Sequence, residues 1–479
     1  MQNFARRFFS LLPLPALLAV GVVAARAGDG APAFWKFAET PPMGWNSWDC
    51  FGTTIDEAQI KAEADYMAAN LKAHGWQYVV VDIQWYEGAS KTPRQIQQYF
   101  ANAYLKPGER YTGTAQDSMD EYGRFIPAAN RFPSSANGAG FKPLADYIHG
   151  LGLKFGVHLM RGIPREAVAR NTPILGTSYH AADIADLNNT CRWNPDMDGV
   201  DMTKPGAQAY YDSEFTLLAS WGVDLVKVDD IAAPKYQQAE VEGIRQAIDH
   251  TGRAMVLSLS PGATPLAAGP NVEQNANMWR ISDDFWDTWR DNRGGGLFPQ
   301  FQRLADWTPY RGSGHFPDGD MLPLGFVKLT QQTHFTVDEQ YTLMTLWSIA
   351  RSPLIFGGDL TKLDAFTQWL ITNDEVLAVD QHSANNRQLF DHDGLIAWVA
   401  DAPDSPDKYL AVFNTHDAPS ANAPAMAVPV NLADLGFTGP VRIRDLWMKK
   451  DLLETTGEFS PLVNFHGAQL YRVSPAPVN

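Results

Sequence analysis

Cysteine, net positive charge and long apolar runs are scarce in this chain. Only two of its 479 residues are cysteine, which excludes a disulfide-knotted scaffold. Charged residues make up 19% and hydrophobic ones 45%, too apolar for a disordered chain and ample for a buried core. Lysine and arginine number 38 against 54 acidic residues, a formal net charge of −16, and no run of five basic residues occurs. That balance argues against a nucleic-acid partner gripped through its phosphates and suits a neutral or cationic small molecule. After residue 30 no stretch reaches 18 uninterrupted apolar residues, so no membrane span is expected in the mature chain. A Walker loop, a Gly-x-Gly-x-x-Gly after the first strand, His-Glu-x-x-His and Cys-x-x-Cys are all missing. Gly294-Gly295-Gly296 lacks the strand and helix context of a phosphate cradle and reads as a loop.

What is present begins with a leader. Arg6 and Arg7 precede an apolar stretch from Phe8 to Ala25 that ends in Ala25-Arg26-Ala27, a small-x-small pattern of the kind signal peptidases cut. Residues 1–27 are therefore expected to be a signal peptide, sending the protein to the periplasm or the exterior. Arg-Arg-x-Phe from Arg6 to Phe9 resembles a twin-arginine export signal. Pro13 and Pro15 interrupt the stretch, which is short for the ~20 residues of a membrane span. In an exported protein Cys50 and Cys191 either close one disulfide loop of about 140 residues or remain two buried thiols.

From residue 40 to about 360, short β-branched runs alternate with amphipathic helical stretches, the pattern of βα units around a parallel sheet. Eight strands are expected at Pro42 to Asn46, Tyr78 to Asp82, Lys154 to Met160, Val223 to Asp229, Ala254 to Leu259, Met278 to Ser282, Asp320 to Leu324 and Pro353 to Gly357. Eight suggest an α/β fold of the closed (β/α)₈ TIM-barrel type over residues 35–380, with helices such as Asp56 to His74 and Asp338 to Arg351 between them. The segment 86–133 is too long for an ordinary βα loop and reads as an insertion over one face. Residues 381–479 change texture: alternating runs such as Leu395 to Val399 and Tyr409 to Asn414, split by Asp, Pro and Gly turns, predict a C-terminal antiparallel β-sandwich domain.

A barrel of this kind carries its active site at the carboxyl ends of its strands. The fourth expected strand ends in Lys227-Val228-Asp229-Asp230, and alternation places Lys227 and Asp229 on one side. An ammonium beside a carboxylate favours its ionised form, which suits a nucleophile. The sixth strand also ends in carboxylates, Asp283 and Asp284, two strands round the barrel from Asp229. Strands ~4.8 Å apart can bring such groups to the ~5–5.5 Å used by retaining glycosidases, in which one carboxylate attacks the anomeric carbon and the other protonates the leaving oxygen. The alternative is that these residues cap the following helices. Tryptophans near strand ends, Trp45, Trp48, Trp85, Trp279 and Trp289 among them, serve either as faces for sugar C–H groups or as core. His158, alone at the end of the third strand, reads as a hydrogen-bonded wall residue rather than a metal ligand or general base.

Several segments together resemble glycoside hydrolase family 27, the α-galactosidase and α-N-acetylgalactosaminidase family. They are Thr40 to Trp48 (TPPMGWNSW), Tyr78 to Trp85 (YVVVDIQW), Gly123 to Pro133 (GRFIPAANRFP), Gly152 to His158 (GLKFGVH) and Trp221 to Asp230 (WGVDLVKVDD). Arg280 to Trp289 (RISDDFWDTW), Pro317 to Leu322 (PDGDML) and Trp347 to Leu360 (WSIARSPLIFGGDL) complete the series, in the family's order across the mature chain. The resemblance implies a retaining α-galactosidase with no metal or organic cofactor, acting on a small-molecule, oligosaccharide or polysaccharide galactoside. It also implies Asp229 as nucleophile and Asp284, rather than Asp283, as acid/base. Trp45, Asp82, Lys227, Arg280 and Asp320 match residues that line the sugar site, and the β domain becomes a companion of the barrel.

Where the chain departs from the family, specificity is at stake. The family usually has two successive Asp residues where this chain has Asp82-Ile83, and they bind the 4- and 6-hydroxyls of galactose. A hydroxyl left unpaired against Ile83 costs about 1–3 kcal/mol, so either another group supplies the bond, or Ile83 faces the core in a shifted loop, or the sugar is β-L-arabinopyranose, galactose without its hydroxymethyl arm. α-Galactosidase is the leading expectation, and β-L-arabinopyranosidase or α-N-acetylgalactosaminidase the alternative. Ser260, within Ser258-Leu259-Ser260-Pro261-Gly262-Ala263, stands in the loop that reads the sugar's 2-substituent, and its small residues resemble the N-acetylgalactosamine-accepting pattern. His158 replaces a family Tyr and is counted with the substrate-binding residues. Ile231 stands where the family usually has a disulfide partner for Cys191, which reopens a Cys50–Cys191 bridge beside the reading of two free thiols. The rival of another class is a galactoside-binding protein without activity on the same scaffold; the pair Asp229 and Asp284 argues against it.

Overall fold

The computed structural model describes residues 30–88, 117–191, 193–194, 196–291, 295–420 and 422–477. The expected signal at 1–27 and the middle of the expected insertion at 86–133 lie outside the described residues. Eight parallel strands follow one another in chain order: β1 (Met43–Asn46), β2 (Tyr78–Val81), β3 (Lys154–Met160), β4 (Leu225–Asp229), β5 (Val256–Leu259), β6 (Met278–Arg280), β7 (Phe316–Asp318) and β8 (Leu354–Phe356). Each pairs with the next as far as β7, and β8 returns to pair with β1 at Met43↔Leu354 and Trp45↔Phe356. Between β7 and β8 the ring is joined by a parallel bridge from Leu322 to Phe356, where Leu322 N–H donates to Ile355 O at 2.8 Å.

The helices fall between the strands: α1 (Glu57–Asn70), α2 (Lys142–Gly150), α3 (Ala207–Trp221), α4 (Gln238–Thr251), α5 (Gly269–Asn275), α6 (Gln300–Trp307) and α7 (Val337–Ala350), with α8 (Ala365–Ile371) and α9 (Asp374–His382) after β8. Because helices cover the outside and side chains fill the inside, a strand such as β2 is buried at every position and reads as a continuous apolar run, YVVV. Local chemistry starts the helices. Asp56 before α1 and Thr336 before α7 each form a capping box, with Gln59 and Glu339 respectively.

The seventh strand differs from the expectation of Asp320 to Leu324; it is Phe316–Asp318. Asp320 has a φ of 88°, a left-handed turn that ends the strand, and only Leu322 rejoins the sheet. That turn aims Asp320 into the barrel mouth.

The C-terminal region forms a six-stranded antiparallel sheet of β9 (Ala384–His392), β10 (Leu395–Asp401), β11 (Lys408–Asn414), β12 (Val441–Asp445), β13 (Lys450–Thr455) and β14 (Gly467–Pro475), in the spatial order β9-β10-β11-β14-β12-β13. Its faces are both covered. Ala397, Val399, Leu410 and Val412 point to a core completed by two short ribbons that carry Val430 with Phe459 and Met426 with Val463. The alternate residues Ile396, Trp398, Ala411 and Phe413 join the barrel core instead. Helix α7 lies at this seam, with eleven of its 14 residues buried. Thr342 Oγ1 donates to His466 O at 2.6 Å, and Trp447 Nε1 to Thr345 Oγ1 at 2.9 Å. No helix among the described residues is long and apolar enough to cross a membrane.

Candidate active site

At the carboxyl ends of the strands the inward positions turn from apolar to ionic. On β4, Val226 and Val228 are fully buried toward the helices while Lys227 and Asp229 face inward, as alternation requires. The apolar layer below includes Val80, Leu225, Met278 and Ile355, which with Lys227 and Arg280 line a cavity of about 30 Å³. Ser260 also borders it; its hydroxyl and Arg280 Nε have no hydrogen-bond partner among the described residues. Room and polarity together suit a bound water.

Lys227 Nζ donates to Asp82 Oδ2 at 2.9 Å, and Asn46 Nδ2 donates to the same oxygen at 2.8 Å. The other oxygen of Asp82 accepts from Ile83 N–H at 2.8 Å. Burial would raise this carboxyl, but Lys227, then the His158 ring, hold it well below the usual carboxylate range. Lys227 is held above its ordinary range: burial would lower it, and Asp82, Asp229 and Asp320 together outweigh that.

Asp229 is fixed at both oxygens. Oδ2 lies 2.8 Å from His158 Nε2 on the adjacent strand, and Oδ1 accepts from Asp230 N–H at 2.8 Å. Asp230, at φ 56°, turns away from the mouth to an ion pair with Arg161 at 2.8 Å, and burial pushes its carboxyl up to about 6. Arg161 also holds Glu240 at 3.0 Å. Behind β4 there is thus a buried cation shared by two acids.

On the opposite side Arg280 pairs with Asp320 at 2.7 Å and with Asp284 at 3.3 Å. Asp320 also accepts from the backbone N–H groups of Phe285 and Met321, each at 2.8 Å. Burial pushes Asp320 upward against the pull of Arg280, and Asp284 and Asp318 add to the rise. Asp284 differs from Asp229 in being open: its side chain is 57% exposed against 10%. One carboxylate is locked on the floor and the other stands free at the rim, an asymmetry that suits an attacking group and a proton-transfer group.

The structure therefore brings together Asp82, His158, Lys227, Asp229, Arg280, Asp284 and Asp320. Two expectations are corrected. Trp45 is fully buried and offers no face to a sugar, because its position on β1 points outward and its indole N–H is spent on Gly358 O at 2.7 Å. His158 is fully buried and reaches Asp229 rather than the mouth. Of the two readings of the cysteines, the structure has the buried thiols: Cys50 Sγ lies 3.7 Å from Ser47 O, and Cys191 Sγ accepts from Asn194 N–H at 3.3 Å.

Sequence reasoning missed Asn46 and Asp49. Asn46 follows outward-facing Trp45, so strand alternation alone would have placed it inward. Asp49 is buried, its carboxyl well above the usual range through burial and then Asp320, and its Oδ2 has no hydrogen-bond partner among the described residues. A cluster of Glu87, Asp117 and Asp196 has its oxygens within 4.8 Å of one another, with Asp196 accepting from Tyr86 at 2.8 Å; it lies outside the site above.

The chain is similar to known proteins along most of its length. Residues 196–382 match the family model for α-galactosidase A, and residues 392–473 match that for the α-galactosidase C-terminal β-sandwich domain. The α-galactosidase of Cyamopsis tetragonoloba is 27% identical over 91% of this chain and 87% of its own length. α-Galactosidase A of Cellvibrio japonicus is 29% identical over 76% of this chain and 74% of its own length. Among solved structures, a family 27 β-L-arabinopyranosidase from Geobacillus stearothermophilus, in complex with arabinose, is 46% identical with a TM-score of 0.84, covering 93% of this chain and 100% of that one.

Proposed function

The chain belongs to glycoside hydrolase family 27, the α-galactosidase family, and from that premise we propose that it is a retaining exo-glycosidase that prefers terminal β-L-arabinopyranosyl over α-D-galactosyl residues. In this reading Asp229 attacks the anomeric carbon. Asp284 protonates the leaving oxygen and then takes a proton from the incoming water. Lys227 and Asp82 hold the axial 4-hydroxyl, and His158 orients the attacking oxygen. Arg280 and Asp320 form the opposite wall.

The observation that carries the preference is Ile83. It is 4% exposed and apolar, and its one polar contribution, the backbone N–H, is committed to Asp82 Oδ1. A galactose 6-hydroxyl finds no acceptor there, a loss of about 1–3 kcal/mol if it is desolvated. Arabinopyranose ends at the ring and brings no such group. Resemblance to the Geobacillus arabinopyranosidase over the whole of that chain supports the same choice. The second reading, α-galactosidase, is favoured by the names of the curated relatives. The leader at residues 1–27 supports an exported enzyme.

Rates on p-nitrophenyl β-L-arabinopyranoside, α-D-galactopyranoside and α-N-acetylgalactosaminide decide the matter. A higher kcat/KM on the arabinopyranoside is expected. A higher value on the galactoside overturns the preference, and a higher value on the acetamido sugar shifts attention to the small loop at Ser260.

A further inference from the structure

Lys328 lies outside every motif that carried the sequence analysis. It sits on the hairpin pairing Phe326–Val327 with Gln331–Gln332, between β7 and α7. It and Leu329 are consecutive non-glycine residues in the left-handed region, at φ 52° and 65°. Such backbone costs on the order of 1 kcal/mol or more per residue and persists only where surrounding contacts impose it. Here the contacts are visible. The N–H of Lys328 donates to Asp49 O at 2.6 Å and that of Leu329 to Cys50 O at 2.9 Å, so the hairpin tip grips the loop that leaves β1.

The side chain runs the other way. Lys328 Nζ lies 2.9 Å from Asp287 Oδ1 and 4.4 Å from the centroid of the Trp286 ring. Asp287 is 4% exposed, and its second oxygen accepts from His334 N–H at 2.8 Å. Trp286 and Asp287 are the second and third residues after Asp284, whose own carboxylate is 57% exposed and meets Arg280 at 3.3 Å. One side of the acid/base loop is anchored by Phe285, through its N–H to Asp320 and its ring against Trp347 at 5.2 Å. The other side has Lys328.

We propose that Lys328 is a positioning residue for the acid/base carboxylate: its ammonium, clamped on Asp287 and Trp286, holds the loop so that Asp284 presents its proton to the leaving-group oxygen. The proposal rests on the reading of Asp284 as acid/base. Without the ammonium, the buried Asp287 carboxylate is left with the exposed His334 ring, 3.3 Å from its second oxygen, and must lean on that partner or protonate, and either moves the residues beside Asp284. General-acid catalysis falls off steeply with such misplacement, since the proton must lie within hydrogen-bond reach of the departing oxygen.

The test compares two aryl glycosides of the preferred sugar, one with a 2,4-dinitrophenolate leaving group that departs without protonation and one with a 4-methoxyphenolate that needs it. Lys328→Met is expected to lose about tenfold or more in kcat/KM on the poor leaving group and less than about threefold on the good one. Lys328→Arg, which keeps a cation against Asp287 and Trp286, is expected to recover most of the loss. Equal losses on both substrates, or none on either, overturn the proposal. If Lys328→Met does not fold, Asp287→Asn breaks the same ion pair and is read identically. Asp284→Ala serves as the reference: without a difference between the two leaving groups there, the acid/base assignment itself falls, whereas a difference there and none in Lys328→Met removes the positioning role alone.

Discussion

His158 Nε2 and Asp229 Oδ2 stand 2.8 Å apart on adjacent parallel strands, the ring fully buried beneath the carboxylate it touches. The bond leaves Asp229 little freedom to rotate, since its other oxygen is tied to the next backbone N–H. A carboxylate held at both ends meets the anomeric carbon in one orientation, and that preorganisation is worth rate. His158→Phe should therefore lower kcat about tenfold to hundredfold with little change in KM, and His158→Gln, which keeps a donor, should recover part of it. Steady-state kinetics with circular dichroism as a fold check decide it; wild-type kcat in His158→Phe removes the role.

Asp229→Ala should abolish turnover of every activated glycoside, a loss of at least about 10⁴-fold, while the protein remains folded. Residual activity above about 1% of wild type would mean that another group attacks. The measurement is release of p-nitrophenol at enzyme concentrations high enough to see slow turnover.

Ile83→Asp should move preference towards galactosides. The new carboxylate supplies the acceptor that a 6-hydroxyl lacks, so the ratio of kcat/KM for galactoside over arabinopyranoside should rise about tenfold, the equivalent of one recovered hydrogen bond. An unchanged ratio would mean that Ile83 does not face the sugar's C5 position.

Arg161 sits between Asp230 and Glu240, all three almost fully buried. Arg161→Met leaves two acids without their cation, and breaking one buried pair already costs about 3–5 kcal/mol. Chemical denaturation should show a loss of at least that size at neutral pH, shrinking as the pH is lowered and the stranded acids protonate. A loss below about 1 kcal/mol would show that solvent reaches the pair.

Glu63 offers a test by pH. Burial first, then Asp359 beside it, pushes its carboxyl up to about 9 from 4.5, and Leu360 N–H donates to it at 2.8 Å. Between those two values the folded chain binds more protons at this site than the unfolded chain does. Its contribution to stability is therefore complete below about 4.5 and is lost as pH rises through about 9. Glu63→Gln keeps an acceptor for Leu360 and cannot ionise. The melting temperature of the variant relative to wild type should climb steadily from pH 5 to pH 9, and a difference independent of pH would place the Glu63 titration elsewhere.

Much of this architecture was legible because strand and helix periods are strong signals: seven of the eight barrel strands lie within a few residues of their expected places, and Asp82, Lys227, Asp229, Arg280, Asp284 and Asp320 converge. The failures were of direction. The family resemblance implies Trp45 as a sugar-site residue, but alternation turns it outward and gives the inward place to Asn46. Met321, Leu322 and Leu324 read as an apolar run and place the seventh strand a few residues late; a left-handed residue at Asp320 is a backbone event that the side-chain pattern does not encode. The sequence leaves Cys50 and Cys191 open between a bridge and two thiols, because the distance between two loops is not written in spacing, and the structure has them as free thiols. Lys328 was invisible for the same reason, since its partners lie 41 residues or more away in other loops.

Helix α7 belongs to the barrel by topology and to the β domain by burial. A face of the C-terminal sheet replaces solvent along much of its length, from the Thr342–His466 contact to the Trp447–Thr345 one. The last helix of the ring therefore has no water-facing stripe of its own to fall back on. Cutting the chain near residue 381 would not release a free-standing barrel; it would strip an apolar wall from it. Calorimetry on the full chain should show the two regions melting together, and in evolution this helix should admit change only in step with the strands that cover it.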